Sequence, residues 1–455
     1  PFFEPNIRAT EVKLKQNMNV ASQNHWPSLR FDFLSINNVF SRFFAAGFYY
    51  KTFMWPRAAW KYLFEPMIRR ASGLGNAPRE YDEEHYEHIY HHTDVLIIGG
   101  GLAGITAAKA LRDRGLSIML CEKDCVIGGR YLEDCKIEEK DRYKKFHENS
   151  VEVLKKSKDI SVKLNTTVTG IFDHGFVLAY EENQHSNTAS KKALWKIRAK
   201  TIILCTGAIE RPIVFPDNDL PGIMLAASVF DYLQKYGVLL GDRLVLSTNN
   251  DYAYKTAIDW KSEGNNRITI VDTRRAVKSE LINQAKALGI KIIYGHGVTE
   301  AKGKKRVQAA LISPLSANGI ELIGGSTEIV CDVIATSGGW SAAVHLNSQT
   351  GVKPVWNRNI ISFTPGKTNE TQVSIGACNG SFNLIDCIHE GSEAGALMSK
   401  NLGFGKGKPK EKIVLDKFEN EHPTQPIFCI PHQKPSIKGL KQFVDQQLDV
   451  TAGSI

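Results

Sequence analysis

The stretch GGGLAGITAAKALRDRGLSIMLCEKD, residues 99–124, begins where an apolar run, DVLII at 94–98, stops. Such a run has the composition of a strand buried on both faces of a parallel sheet. Gly99, Gly101 and Gly104 then form G-x-G-x-x-G. The first glycine permits a tight turn, the second lets backbone amides approach a pyrophosphate, and the third lets the next helix pack closely. That helix is expected over 102–114. Its small residues Ala103, Ala107, Ala108 and Ala110 suit packing on a sheet, and its N-terminus presents partial positive charge to phosphates. A second strand at 117–121 leads into Glu122, 23 residues after Gly99. A carboxylate there accepts hydrogen bonds from both hydroxyls of an adenosine ribose and repels a 2′-phosphate. A glycine turn alone is a weak signal, because bare packing turns look the same. Strand, glycines, helix, strand and acid together point to an adenine dinucleotide, FAD or NAD rather than NADP.

The 455 residues are enough for two or three domains with sizeable cores. Hydrophobic residues make up 42% and charged ones 23%, a globular composition. No apolar run reaches the length of a membrane span. The formal net charge of +9 comes largely from dispersed lysines, apart from clusters such as KGKPKEK at 406–412. It reads as a basic surface or partner-facing patches; with no nucleic-acid module beside it, a nucleic-acid role is disfavoured. Eight cysteines (Cys121, Cys125, Cys135, Cys205, Cys331, Cys378, Cys387, Cys429) show no C-x-x-C spacing. This argues against zinc or iron–sulfur ligation and fits a reduced, cytoplasmic setting. No signal peptide is visible, although the chain begins at Pro1 without Met, so a missing N-terminal piece stays open.

Residues 1–90 stand apart, dense in aromatic and basic residues. The helical spacing of Phe53, Trp60, Phe64 and Ile68 marks a packing face, core or subunit interface, rather than a nucleotide-stacking platform. ASGLGNAPRE, 71–80, reads as a linker. VKLNTTVTGIF, 162–172, reads as a strand whose backbone near Val168 would pair with an adenine edge. LWKIRAKTIILCTGAIERP, 194–212, reads as a meander strand followed by a buried strand ending at Cys205-Thr206-Gly207. That ending recurs where the chain leaves the first domain of flavoproteins with two dinucleotide domains. RLVLST (243–248), DYAYKTAIDWKSEG (251–264) and RITIVD (267–272) form a second strand–helix–strand unit. Its turn is Asn249-Asn250-Asp251, without a glycine triad. Side chains there bar close backbone approach, and the carboxylate repels a pyrophosphate. Arg274-Arg275 follow, residues of the type that hold the 2′-phosphate of NADPH in a reductase, but a working second site is not expected.

DVIATSGGWSAAVHL (332–346) returns the chain to the first domain, and residues 374–400 give a strand, a turn and a long helix rich in small residues. Flavoproteins of this architecture carry Gly-Asp at that turn, the Asp bonding the ribityl chain of FAD. Gly376-Ala377-Cys378-Asn379 stands there instead, which weakens the case for FAD. A disulfide-reductase redox pair is also missing: Gly128-Gly129 is followed by Arg130-Tyr131-Leu132, with Cys135 beyond. Cys121 and Cys125 precede those glycines and read as buried structural cysteines. His85, His88, His91 and His92 read as a linker face rather than a metal site. No Ser/His/Asp triad or carboxylate pair has a defensible spacing, so no catalytic and no metal-ligating residue is assigned. The fold expected is α/β, a two-dinucleotide-binding-domain (glutathione-reductase-like) Rossmann architecture with an extra N-terminal region. The expected parts are 1–90; an NAD-binding domain of 91–225 plus 335–400; a degenerate second nucleotide-binding-like domain at 226–334; and a linker at 401–455.

Longer blocks carry a more specific signal. EPNIRAT (4–10), SQNHWPSLRFD (22–32), AGFYYKTFMWPR (46–57), WKYLFEPMIRRASGLG (60–75), TGAIERPIVFPDNDLPGIMLA (206–226) and STNNDYAY (247–254) resemble the alpha subunits of heterotetrameric sarcosine oxidases. The Asn-Asn-Asp turn and the absent Gly-Asp are also features of that family. The resemblance implies a complex with beta, gamma and delta subunits that oxidatively demethylates sarcosine to glycine. Oxygen is reduced to hydrogen peroxide, and with tetrahydrofolate the one-carbon unit leaves as methylenetetrahydrofolate. It further implies FAD in beta as the site of amine oxidation, FMN at the alpha–beta interface, and NAD held by alpha without turnover. Carried over by position, the NAD contacts are Ala103 in the glycine loop, Glu122 with Lys123, Arg130, Val168 at the adenine, and Ala377, Phe382 and Leu384 at the last turn. Thr206 and Gly207 are counted with them. Lys123 and Arg130 also have a plain reading as solvated charges. The family's ferredoxin-like start is missing, leaving 1–90 as its remainder and a subunit contact. FVDQQLDVTAGSI (443–455) resembles the entrance to the family's aminomethyltransferase-like folate domain, so the chain reads as a fragment or a split subunit. Two alternatives stay open: the alpha subunit of a related amine, opine or proline dehydrogenase complex, and a free-standing NAD(P)H or flavin oxidoreductase. An iron–sulfur segment would favour the first and a second glycine loop the second.

Overall fold

A computed structural model of the chain describes residues 16–20, 25–38, 52–73, 81, 85–130, 137–182, 190–265, 267–275, 277–367, 371–405, 424–432, 442–446 and 450–452, with the side chains of 137–143 and 190–191 outside the description. The linker expected beyond Gly73, Cys135 and the lysine cluster at 406–412 lie outside these residues. The chain divides into two compact units, 1–84 with 436–440, and 85–435 with 441–455.

The larger unit opens with β1 (His85–Ile98), α1 (Leu102–Leu111), β2 (Ile118–Cys121), α2 (Ile137–Lys156), β3 (Ile160–Lys163), β4 (Thr166–Phe172), β5 (Phe176–Glu182) and β6 (Ser190–Leu204). β3, β2, β1 and β6 are parallel neighbours, and β5 and β4 continue the sheet antiparallel. The apolar run Val95–Leu96–Ile97–Ile98 is buried on both faces, as its composition predicts. Four details differ from the sequence reading. α1 ends at Leu111, because Arg112 leaves the helical region and Asp113 (φ 55°) and Gly115 (φ 72°) turn the chain back. The expected strand 162–172 is two strands, broken at Asn165, whose φ of 49° no strand accommodates. The expected meander and buried strands are one, β6, flanked by β5 along its first half and by a later parallel strand at its end. The histidines His85, His88, His91 and His92 are not a linker face: they belong to β1, paired with β6 from His85 on. Ile89, His91 and Thr93 turn inward while Tyr90 and His92 are exposed, the two-residue period of a half-buried strand.

The chain continues through β7 (Ala208–Glu210), β8 (Ile223–Leu225), α3 (Ala226–Tyr236), β9 (Leu244–Thr248), α4 (Tyr254–Ser262), β10 (Ile268–Asp272), α5 (Glu280–Ala287), β11 (Lys291–Tyr294), β12 (His296–Gly303), β13 (Val307–Pro314), β14 (Thr327–Val330), β15 (Val333–Ser337) and β16 (Trp340–Ala342). β11, β10, β9, β15 and β8 form a second, wholly parallel sheet. β12–β13–β14 is an antiparallel layer, and β7 pairs β16. A hairpin of β17 (Val355–Asn357) and β18 (Ser362–Thr364) precedes β19 (Gln372–Ser374), which runs parallel to the end of β6. α6 (Leu384–Asn401) then packs on α1. The first core joins β1–β3 to α1 and α6 through Ile97, Ile105, Leu111, Leu120 and Met398; the second joins β9, β10 and β15 to α3–α5 through Tyr254 and Trp260. In the smaller unit the helix Arg57–Ala59 runs through a π turn, Trp60–Phe64, into Glu65–Ala71. Phe53, Trp60, Phe64 and Ile68 are half-buried, with Phe53 and Phe64 rings 4.9 Å apart, while Trp55, Tyr62 and Met67 are exposed. Among the described residues no helix is long and apolar enough to cross a membrane.

Candidate dinucleotide site

β1, β2, β6 and β19 end side by side, and the glycine loop, Glu122, Thr206-Gly207 and the turn 376–384 follow those ends. This carboxyl edge is where doubly wound sheets take their ligands. Two of the three glycines are demanded by contacts within the protein. Gly99 adopts φ 106°, and a Cβ on it would lie 2.2 Å from the Cys205 carbonyl oxygen. A Cβ on Gly104 would lie 2.0 Å from the Gly99 carbonyl oxygen, so α1 reaches the loop only through glycine. A Cβ on Gly101 meets nothing within 4 Å. Steric demand from the protein explains Gly99 and Gly104. At Gly101 the free space lies where a ligand would be. A Cβ on Gly207, at φ 77°, likewise meets nothing within 4 Å.

Glu122 is 6% exposed: its Oε2 accepts from Gly100 N in the loop at 2.5 Å and its Oε1 from Asp124 N at 2.9 Å. Burial raises its pKa, and those two N–H groups oppose the rise. Each oxygen keeps a second lone pair for a ribose hydroxyl. β4 is tied to this point by Thr166 N donating to Glu122 O at 2.8 Å, which brings Val168 near. Ala103 is buried in the first turn of α1, against Gly376 and Gly391. Lys123 is exposed. Thr206 Oγ1 donates to Ala343 O at 2.9 Å. The last turn is shaped by Gly376 (φ 70°), whose N–H donates to Glu390 Oε2 at 2.7 Å, and it leads through Ala377 and Phe382 into Leu384, the first residue of α6. These residues fit an adenine dinucleotide: open backbone at Gly101 and Gly207, a buried carboxylate, and the first turn of α1 packed at Ala103 against Gly376 of the last turn.

Arg130 is not a solvated charge. Gly128 N donates to Gly100 O at 2.8 Å, which lays the double glycine against the loop. The Arg130 guanidinium then stacks 3.6 Å from the Trp340 ring centroid and 5.6 Å from that of Tyr252. Tyr252 OH donates to Phe382 O at 2.8 Å. Beside them a cavity of about 20 Å³ is bordered by Glu210, Arg130, Tyr252 and Trp340. Glu210 accepts from Ala227 N at 2.8 Å, and burial pushes its pKa up to about 7. Sequence reasoning missed Glu210, Tyr252 and Trp340. Only the position of Glu210, three residues after Gly207, hinted at it.

The second crevice is closed from within. Asn249 and Asn250 are buried, and Asn249 Nδ2 donates to Gln425 O at 2.8 Å and to Ile427 O at 3.1 Å. Gln425 N donates back to Asn249 O, and Thr273 Oγ1 donates to Gln425 Oε1. The segment around Gln425 therefore lies across the ends of β9 and β10. Arg274 does not await a 2′-phosphate: it is 6% exposed and paired at 2.8 Å with both Asp272 and Asp251. Arg275 donates to Leu315 O. Cys121 is buried with its thiol pushed up to about 12, but Cys125 is exposed, so only the first is a core cysteine. Among the described residues no three His, Cys, Asp or Glu side chains are grouped to hold a metal ion.

The chain belongs to the pyridine nucleotide-disulphide oxidoreductase family, whose model matches residues 93–395. Within that class it is similar to the sarcosine oxidase subunit alpha of Rhizobium meliloti (strain 1021), 34% identical over 98% of this chain and 44% of that protein. It is likewise similar to the sarcosine oxidase subunit alpha of Corynebacterium sp. (strain P-1), 31% identical over 84% of this chain and 40% of that protein. The chain thus spans less than half the length of these relatives. T. acidophilum thioredoxin reductase shares the fold, with a TM-score of 0.52, 18% identity, and coverage of 68% of this chain and 99% of that one.

Proposed function

We propose that this chain is the dinucleotide-holding alpha subunit of a sarcosine oxidase-type complex. The observation that carries the reading is the open space before Gly101 and Gly207 beside the buried Glu122, in a chain 34% identical to a sarcosine oxidase subunit alpha over 98% of its length. In this reading Gly99, Gly101 and Gly104 shape the pyrophosphate loop and Glu122 accepts from the ribose. Val168 lies at the adenine, and Ala103, Lys123, Arg130, Thr206, Gly207, Ala377, Phe382 and Leu384 complete the contacts. NAD is favoured over FAD because Ala377 and Cys378 offer no carboxylate to a ribityl chain, and Glu390 is already engaged by Gly376 and Ser381. A bound nicotinamide supplies hydride chemistry, which this subunit leaves unused.

Oxidation of sarcosine to glycine belongs to the complex, at FAD in beta and FMN at the alpha–beta boundary, with tetrahydrofolate bound by a domain beyond these residues. Gamma and delta complete the assembly. The reading places the complex in the cytoplasm. The test is to denature the purified chain and identify what it releases, and to measure peroxide formed from sarcosine, with FAD and FMN present, before and after adding beta. A colourless chain that releases NAD and turns over only with beta is expected. A yellow chain releasing stoichiometric FAD, or turnover without beta, overturns the reading.

A further inference from the structure

The layer β1–β6–β5–β4 has two edges, and the fold closes one of them. Along β4, Thr166 N donates to Glu122 O at 2.8 Å and Ile171 N to Gln349 Oε1 at 3.0 Å. β1 meets β2 only from Val95 on, so its first half, paired with β6 alone, forms the other edge. From Glu87 to His92 its backbone is bonded to β6 and, among the described residues, to no other segment. Glu87, His88, Tyr90 and His92 are exposed, Tyr90 at 72%. Such an edge presents a row of N–H and C=O groups spaced to receive another strand, and edges that must stay unpaired are blunted by lysine, proline or a bulge. Glu87–His92 holds no lysine and no proline, and its register with β6 is regular.

The two faces of this edge call for different side chains in an added strand. On one face Ile89 and His91 are half-buried. Ile89 packs on the core that holds Trp195 and Ile197, and the His91 ring stands 5.9 Å from that of Trp195. On the other face β6 sets Lys196 beside Tyr90 and Arg198 beside His92. Glu182 stands opposite Lys192, and Asp94 pairs with Lys200 at 2.7 Å. Lys196 and Arg198 have no such carboxylate among the described residues: Lys196 Nζ donates to Tyr90 OH at 3.1 Å, and Arg198 Nη1 donates to His174 O at 3.2 Å. A second copy of the chain suits this edge badly. Two-fold antiparallel pairing of β1 with itself would set both Lys196–Arg198 rows on one surface, like charge beside like.

We propose that the Glu87–His92 edge receives, as an added strand, an extended segment of a partner subunit in which apolar and acidic residues alternate. Its apolar residues cover Ile89 and His91. Its carboxylates face Tyr90 and His92 and reach toward Lys196 and Arg198, two strand spacings or about 10 Å away, a gap that long side chains span. This inference rests on the reading of the chain as one subunit of a complex and is independent of the dinucleotide.

The test is amide hydrogen exchange of the full chain, alone and with purified beta, gamma or delta, with association read by sedimentation on the same samples. One partner should slow exchange over 87–92 at least ten-fold. Lys196→Glu with Arg198→Glu should weaken that partner ten-fold or more at low salt, and less at high salt. The same charge change at Lys304 and Lys305, exposed on the turn between β12 and β13, should leave affinity within two-fold. Ile89→Lys places a blunting residue on the edge and should abolish the slowed exchange. Association without slowed exchange over 87–92 overturns this proposal and leaves the subunit reading standing. So does equal affinity in the two charge-reversed chains, or slowed exchange that persists in Ile89→Lys. No association with any of the three partners overturns both readings. Slowed exchange over 87–92 in the chain alone, growing with its concentration, assigns the edge to a second copy and overturns the proposal as well.

Discussion

Gly101 and Gly104 are three residues apart and answer to different masters. Valine at 104 would place Cβ 2.0 Å from the Gly99 carbonyl, so Gly104→Val is expected to lose about 3 kcal/mol of stability or more. At 101 a Cβ meets no atom within 4 Å and φ is a permissible −70°, so Gly101→Val should cost about 1 kcal/mol or less while emptying the dinucleotide site. Urea unfolding alongside nucleotide content after denaturation separates the two; full nucleotide retention in Gly101→Val would move the site elsewhere. Glu122→Arg should also lose the nucleotide, by removing the ribose acceptor. Glu210 makes a pH prediction. Its folded pKa of about 7 exceeds the ordinary 4.5, so the folded state holds this proton more tightly than the unfolded one. Its contribution is complete below about pH 4.5 and is lost as pH rises through 7, at most about 3 kcal/mol by linkage. Glu210→Gln should flatten that fall, read as denaturant midpoints from about pH 5 to 8.

At the scale of elements, β9, the turn 249–251 and β10 keep the backbone route of a nucleotide-binding unit while spending its ligand site on internal bonds. Tyr254 OH donates to Asp272 at 2.7 Å, and Arg274 bridges Asp272 to Asp251. Removing the cation strands two buried carboxylates, so Arg274→Met should destabilise by about 3–5 kcal/mol. Adding Asp251→Asn and Asp272→Asn to that variant should recover part of the loss, because the stranded charges disappear. Thermal unfolding of the single and triple variants checks this; an unchanged midpoint in Arg274→Met would sink it. NADPH should show no binding at this crevice by equilibrium dialysis, even in Asp251→Gly, because Gln425 still crosses the mouth. The other sensitive joint is α1 on α6, where a Cβ on Gly391 would come 2.3 Å from the Ala103 carbonyl.

For the whole molecule, the proposed role as a subunit gives the exposed aromatics of the smaller unit a use. Trp55 is 85% and Tyr62 77% exposed, on a segment whose inward residues are already packed. Replacing both with Asp should weaken association with beta at least ten-fold and leave nucleotide content and thermal midpoint of the chain alone unchanged. Sedimentation with purified beta measures it; undiminished association would assign the contact to another surface.

The local signals were legible in the residues themselves. An unbroken apolar run, three glycines at fixed spacing and an acid at a strand end depend on contacts within about thirty residues, so DVLII, Gly99–Gly104 and Glu122 could be read directly. The absence of glycine at Asn249–Asp251 was equally local. Breaks carried by a single dihedral, such as Asn165, were not legible, because one Asn within a strand-like run signals a turn only weakly although its type tolerates positive φ. The register of β1 was lost for a different reason: histidines carry no hydrophobic alternation, and only β6 beside them makes His85–Thr93 a strand. Tertiary structure alone brought Arg130 onto Trp340, some two hundred residues away, closed the second crevice with Gln425, and buried Glu210. Charge, burial and open space at these positions are set by which distant segments arrive there. Backbone pattern is encoded locally, whereas the environment of a side chain is a property of the packed fold.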